Sequence, residues 1–211
     1  MMQPFFYRFL RWCPGAFGLL LRQKLYPRLF GKCGNGVLFG RFVNLVQPQR
    51  IRLGDRVIIS NNVTLDASGC EGDTYMVSID HDVFIGMATH LNARKNAIVL
   101  QSGANVGSNC KIVANLPVHI GQNVLLAAYC IIGEISPNEF DFEKKRELQA
   151  PCDAATVVEQ GCWLGVRVEL KSGAIVGKES IVGAHAIVEG EIPAWAIAIG
   201  RPAKIVRFRN V

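Results

Sequence analysis

The sequence predicts an all-β chain wound as a parallel β-helix of six-residue repeats, headed by a short helical segment. Three observations carry this. Aliphatic residues recur every sixth position, glycine often follows them, and a small or apolar residue comes four places later. The aliphatics form triplets: Leu53, Ile59, Leu65; Ile79, Ile85, Leu91; Leu100, Val106, Ile112; Ile120, Leu126, Ile132; Val158, Leu164, Leu170; and Val176, Val182, Val188. Gly54, Gly86, Gly107, Gly121, Gly133, Gly165, Gly177 and Gly183 supply the turns, since glycine reaches backbone angles that a Cβ forbids. Small or apolar residues such as Val57, Val63, Val83, Thr89, Ala104, Cys110, Cys130, Cys162 and Ala186 hold the third place.

Three flat strands joined by tight corners make a triangular coil with the aliphatic and the small residue pointing inward. Stacked coils pair strand to strand at about 4.8 Å. Each buries its interior only against its neighbours, so the array is cooperative and its ends need covers. Six such coils span residues 53–193.

The elements then follow in order. Residues 1–36 form a basic, amphipathic head. Its longest uncharged run, Trp12–Leu21, falls short of the roughly 20 apolar residues that a membrane span needs. No small-residue cleavage site follows it, which argues against a signal peptide. Residues 4–30 interleave aromatics with Arg8, Arg11, Arg22, Lys24 and Arg28. Two readings fit: an interfacial helix lying on an anionic membrane face, or an amphipathic cap over the open first coil. The coil body is expected over residues 37–195 and a tail over 196–211.

Charge supports this division. Residues 1–54 carry nine Lys or Arg and no Asp or Glu, while the remainder is 14 basic against 17 acidic. A basic head on a mildly acidic body points to a local surface and not to a nucleic-acid binder. The seven cysteines lack zinc-like spacing or C-x-x-C pairs, so they read as free thiols of a reducing compartment, hence cytoplasmic. Cys110, Cys130 and Cys162 fall on the inward small position and read as packing.

The repeat breaks at 66–78, 92–99, 113–119 and 133–157. The last break is the longest and is rich in charge, from Glu134 through Glu147. In a rigid stack such an excursion is decoration or an active-site loop, and the loop is the favoured reading.

These repeats, with Gly161–Gly165, Ile181–His185 and the run Ile192–Arg207, resemble the hexapeptide-repeat acyltransferases. The nearest group is the bacterial polysaccharide O-acetyltransferases of the maltose, galactoside and serine acetyltransferase type. The resemblance covers about residues 35–208. It implies a left-handed coil, a homotrimer, and acyl-CoA (acetyl-CoA by default) lying between subunits, with no metal expected. The implied reaction moves an acyl group to a sugar hydroxyl of a surface polysaccharide or glycolipid, on a free or lipid-linked saccharide. A histidine base would take the hydroxyl proton, and backbone N–H groups would stabilise the oxyanion.

Relatives of that group carry the catalytic histidine early in the long loop. Here Asn138 stands at about that place, and the loop holds no histidine. The candidate bases are therefore His119, turned outward by alternation beside Ile120; His81, in a corner Asp-His pair; and the carboxylates Glu134 and Asp141. His90 is also expected to point outward. For the CoA site the resemblance suggests Gly165, Gly183, His185, Arg201 and Lys204, with Arg207 a further phosphate partner. The altered loop leaves a second reading: a catalytically inactive β-helix trimer, acting as scaffold or as partner of an active paralogue. A carbonic-anhydrase-like metal site is disfavoured, because no H-x-x-x-x-H pair exists.

Overall fold

A computed structural model describes residues 9–69, 75–134 and 155–209 of the chain. The described strands form three sheets, here faces A, B and C, of eight, nine and seven strands. Neighbouring strands within a face are parallel and come from successive coils, apart from one antiparallel pair at the C-terminal end. The architecture is a left-handed parallel β-helix of seven complete coils plus two strands of an eighth.

All eighteen repeat aliphatics point inward, each no more than 1% exposed. The small-position residues join them, including Cys110, Cys130 and Cys162. Two polar occupants of that position pair with backbone. The Thr89 hydroxyl donates to the Gly107 carbonyl at 2.8 Å, and the Ser180 hydroxyl to that of Pro193 at 2.7 Å. Both partners are turn carbonyls, so neither hydroxyl is left orphaned in the core.

The corners need a residue in the left-handed backbone region. Asn62, Ala88, Asn109, Tyr129, Arg167 and His185 form one such column between faces B and C, with φ from 56° to 64°. Asparagine adopts that conformation at low cost; the others are held there by the hydrogen bonds of the stack. Every long interruption of the repeat leaves from one other corner, between faces C and A. There the Asn96 side chain donates to the Asn115 carbonyl at 2.7 Å, and the Asn115 side chain to that of Gly133 at 3.0 Å. These amides satisfy carbonyls where the coil widens.

Strand pairing starts earlier than the aliphatic pattern suggests. Lys32–Cys33, Leu38–Phe39 and Asn44–Val46 form a coil ahead of Leu53, with Cys33, Phe39 and Leu45 at the same spacing of six. A thiol and an aromatic at the first two places hide it from an aliphatic count. At the other end, Ala196–Ile199 pairs on face B, and Lys204–Phe208 folds back antiparallel against it. The Arg209 guanidinium donates to the Glu179 carbonyl at 2.6 Å and covers the Trp195 ring.

The head packs as a cap on the first coil. Helix α1, Gly15–Leu25, leads into a 3-10 turn, Tyr26–Leu29. Tyr26 meets the Phe39 ring edge-on and Phe30 stacks on it, with ring centroids 5.2 and 5.5 Å away. Arg22 departs from the pattern expected of the head's basic residues. It is buried inside the cap, donating to the carbonyls of Phe39 (3.0 Å), Leu10 (3.2 Å) and Cys13 (2.8 Å). Leu10 and Cys13 end the helical turn at residues 9–12, whose last carbonyls have no intrahelical donor. Burial pushes the Arg22 pKa down.

Candidate active site

Outward side chains stand in ladders, because residues in register stack from coil to coil. Face B carries Ile58, Phe84, Asn105, Leu125 and Trp163 in one line, and the four apolar members are 36–51% exposed. Face C is polar apart from Ile131: Thr64, His90, Lys111, Ile131 and Glu169 follow one another. Face A places His119 between Val99 and Val157.

His119 sits in the strand Val118–Ile120, whose outer two residues are buried, so alternation sends its ring to solvent. It lines an open groove of about 390 Å³ with Gln101, Val157, Glu159, Gln160 and Lys178. Among the described residues no side chain bonds the ring. Glu159 is anchored, its carboxylate accepting from the Lys178 backbone N–H at 2.7 Å. The groove thus gathers an imidazole with open nitrogens, two amides, a carboxylate and an ammonium beside an apolar strand. It can orient a polyhydroxyl compound and accept a proton from it.

His81 is in a different state. Its Nδ1 accepts from the Asp55 backbone N–H at 3.0 Å and lies 3.2 Å from the Asp55 carboxylate; its Nε2 lies 3.3 Å from Asp80 Oδ1. An accepting Nδ1 puts the ring proton on Nε2, facing Asp80, and leaves no open lone pair. The Ser102 hydroxyl donates to Asp80 Oδ2 at 2.7 Å and, as the main cause, holds that carboxyl below its usual range. Beside it the Arg56 guanidinium makes a two-pronged contact with Asp82, both distances 2.6 Å, and depresses that carboxyl likewise. This cluster locks a corner between the early coils.

The remaining candidates scatter. His90 is exposed on face C, paired in register with Thr64 and Lys111. His185 is exposed at the last corner of the B–C column, where Arg167 below it covers the Tyr129 ring at 5.5 Å. Arg201 lies 3.5 Å from the Glu169 carboxylate, which also holds Lys171 at 3.2 Å. Lys204 opens the exposed final strand. At Gly165 a Cβ would come 2.6 Å from the Ala184 nitrogen, so coil stacking by itself requires that glycine, while at Gly183 a Cβ would come 2.6 Å from Ile199 Cγ2 and displace that side chain. The Glu134 backbone pairs with Lys171, while its side chain, Asn138 and Asp141 lie outside the described residues.

Gln101, Glu159, Gln160 and Lys178 in the groove, and Glu169 and Lys171 beside Arg201, escaped the sequence reading. The period places each of them outward, but not which of them meet. Among the described residues no three His, Cys, Asp or Glu side chains converge as a metal site.

Known proteins match this architecture. The family model described as the hexapeptide repeat of succinyl-transferase matches residues 51–67 and 155–188. A Mycobacterium tuberculosis protein named as an acetyltransferase is 26% identical over 166 residues, which are 77% of this chain and 55% of that protein. Escherichia coli WbbJ, named as a lipopolysaccharide-biosynthesis O-acetyl transferase, is 28% identical over 59% of this chain and 68% of its own. The E. coli galactoside O-acetyltransferase is 29% identical over 48% of this chain and 49% of its own. The chain therefore spans about half to two-thirds of the length of these relatives. Among solved structures, a variant of the Bacillus cereus N-acyltransferase AntD with dTDP and coenzyme A superposes with a TM-score of 0.59 at 18% identity, covering 90% of this chain and 89% of that one. This likeness is one of fold. In repeats, coil and matched relatives the chain is similar to the hexapeptide-repeat acyltransferases.

Proposed function

We propose that the protein transfers an acyl group from acyl-CoA to a sugar hydroxyl in surface polysaccharide or glycolipid synthesis, with His119 as the base. The observation that carries the assignment of the base is the open imidazole in a polar groove, against a His81 whose two nitrogens are both engaged. Relatives named as O-acetyltransferases support the reaction class, and AntD, solved with dTDP and 3-hydroxybutyryl-CoA, shows the coil serving acyl transfer elsewhere.

In the proposed step His119 takes the hydroxyl proton while the oxygen attacks the thioester carbonyl. The tetrahedral oxyanion collapses, the C–S bond breaks, and the CoA sulfur leaves with the proton from the imidazolium. Arg201 and Lys204, with the neighbouring Lys171, are suited to the CoA phosphates, and His185, at the B–C corner, to another part of the CoA.

The working form in this reading is a cytoplasmic homotrimer. The apolar ladder on face B supports self-association, since a monomer would leave Ile58, Phe84, Leu125 and Trp163 in water. The missing loop histidine favours the alternative of an inactive scaffold. The purified protein is incubated with acetyl-CoA and a panel of sugar acceptors, and product is read by mass. Acceptor-dependent turnover is expected, falling at least about 100-fold in His119→Ala and little in His81→Ala. Turnover that survives His119→Ala removes the assignment of the base. No turnover with any acceptor favours the scaffold.

A further inference from the structure

We propose that the outward side of the N-terminal cap is a docking surface for an anionic lipid bilayer. The two helical pieces of the cap are two-faced. Inward, Leu10 and Arg22 are buried against the first coil, and Gly18 against Cys13 within the cap. Outward, Phe9 is 42% exposed, Trp12 55%, Phe17 66% and Leu20 62%. These side chains follow helical spacing, Phe9 with Trp12 and Phe17 with Leu20, so each piece presents its own apolar ridge. The repeat needs none of them, because the end of the coil is already covered by Tyr26, Phe30 and Leu10.

Charge decides between occupants. Residues 1–54 hold nine Lys or Arg and no acid. Arg22 is sequestered, but Lys24 and Arg28 are exposed beside the ridges. A second copy would bring the same acid-free basic surface against this one, and like charges would oppose that contact. A bilayer with anionic headgroups meets both halves of the surface: cations at the phosphates, aromatic and leucine side chains below them. No described helix is long and apolar enough to cross a membrane. The three bonds of Arg22 to Leu10, Cys13 and Phe39 fix the ridges to the coil, so the docking face is present before lipid arrives. Nothing here depends on acyl transfer; a protein without turnover would dock equally.

The test is co-sedimentation of the full chain with vesicles of phosphatidylcholine alone and of phosphatidylcholine mixed with phosphatidylglycerol. Two variants are compared: Trp12→Ser with Phe17→Ser and Leu20→Ser, and Lys24→Glu with Arg28→Glu. The parent protein should partition onto the mixed vesicles at least about tenfold better than onto the neutral ones. Each variant should lose at least about tenfold while keeping the parent's circular dichroism and elution volume. Three results overturn the proposal: no binding to mixed vesicles, equal binding to both kinds, or variants that bind like the parent. A serine variant that elutes as a smaller assembly assigns the ridges to contact between copies, and also overturns it.

Discussion

Replacing Arg22 by methionine tests how the cap is held. The side chain is 3% exposed and spends three donor contacts on the carbonyls of Phe39, Leu10 and Cys13, at 2.8 to 3.2 Å. Two of these carbonyls end a helical turn and the third belongs to the first coil, so the guanidinium is both a helix C-cap and a clamp. Methionine keeps most of the volume and strands the three carbonyls, at about 1–3 kcal/mol each. Relief from burying a charge offsets part of this. The net cost should be about 2–5 kcal/mol, falling on the cap. Hydrogen exchange read by mass spectrometry should show peptides within residues 9–30 exchanging about 30-fold or more faster, with peptides of the middle coils little changed. The Phe42 amide, which donates to the Arg11 carbonyl at 3.0 Å, should lose protection with them. Cap protection within about threefold of the parent's would refute the clamp.

Two further outcomes follow from the coil. Trp163→Glu puts a charge into the exposed apolar ladder of face B, 51% exposed at that residue; light scattering should show the proposed trimer dissociating while circular dichroism holds, and an unchanged mass would move the interface elsewhere. Cys162 has its thiol pushed up to about 11, mainly by burial, from an ordinary value of 9.0. A raised folded pKa makes this contribution complete below pH 9 and loses it as pH climbs toward 11, because the unfolded thiol ionises first. The loss amounts to about 3 kcal/mol. Denaturation midpoints measured from pH 8 upward should fall less in Cys162→Ala, and identical pH profiles would contradict it.

Much of the fold was legible because a stacked coil repeats one requirement. Leu126 and Leu164 must point inward for the same reason, and both do. The first coil was not legible, since Cys33 and Phe39 satisfy the same packing with side chains outside the aliphatic set. For the head, composition left membrane face and coil cap equally open. Packing made it a cap and turned Arg22 inward, which no count of charges distinguishes from Lys24 on the outside. Among the histidines, alternation already turned His119 outward. That His81 is tied to Asp55 and Asp80 depends on the turn of one corner over another.

By itself the sequence determined which residues line the interior and which face out, because a period of six with alternating strands leaves no other way to bury the aliphatics. The tertiary structure decided which outward residues are neighbours. Excursions of unequal length leave from a single corner, so the register partner of His119 is Val99 on one side and Val157, beyond the long loop, on the other. The groove joins Gln101, His119, Glu159 and Lys178 from successive coils, and only stacking across those unequal excursions brings them together.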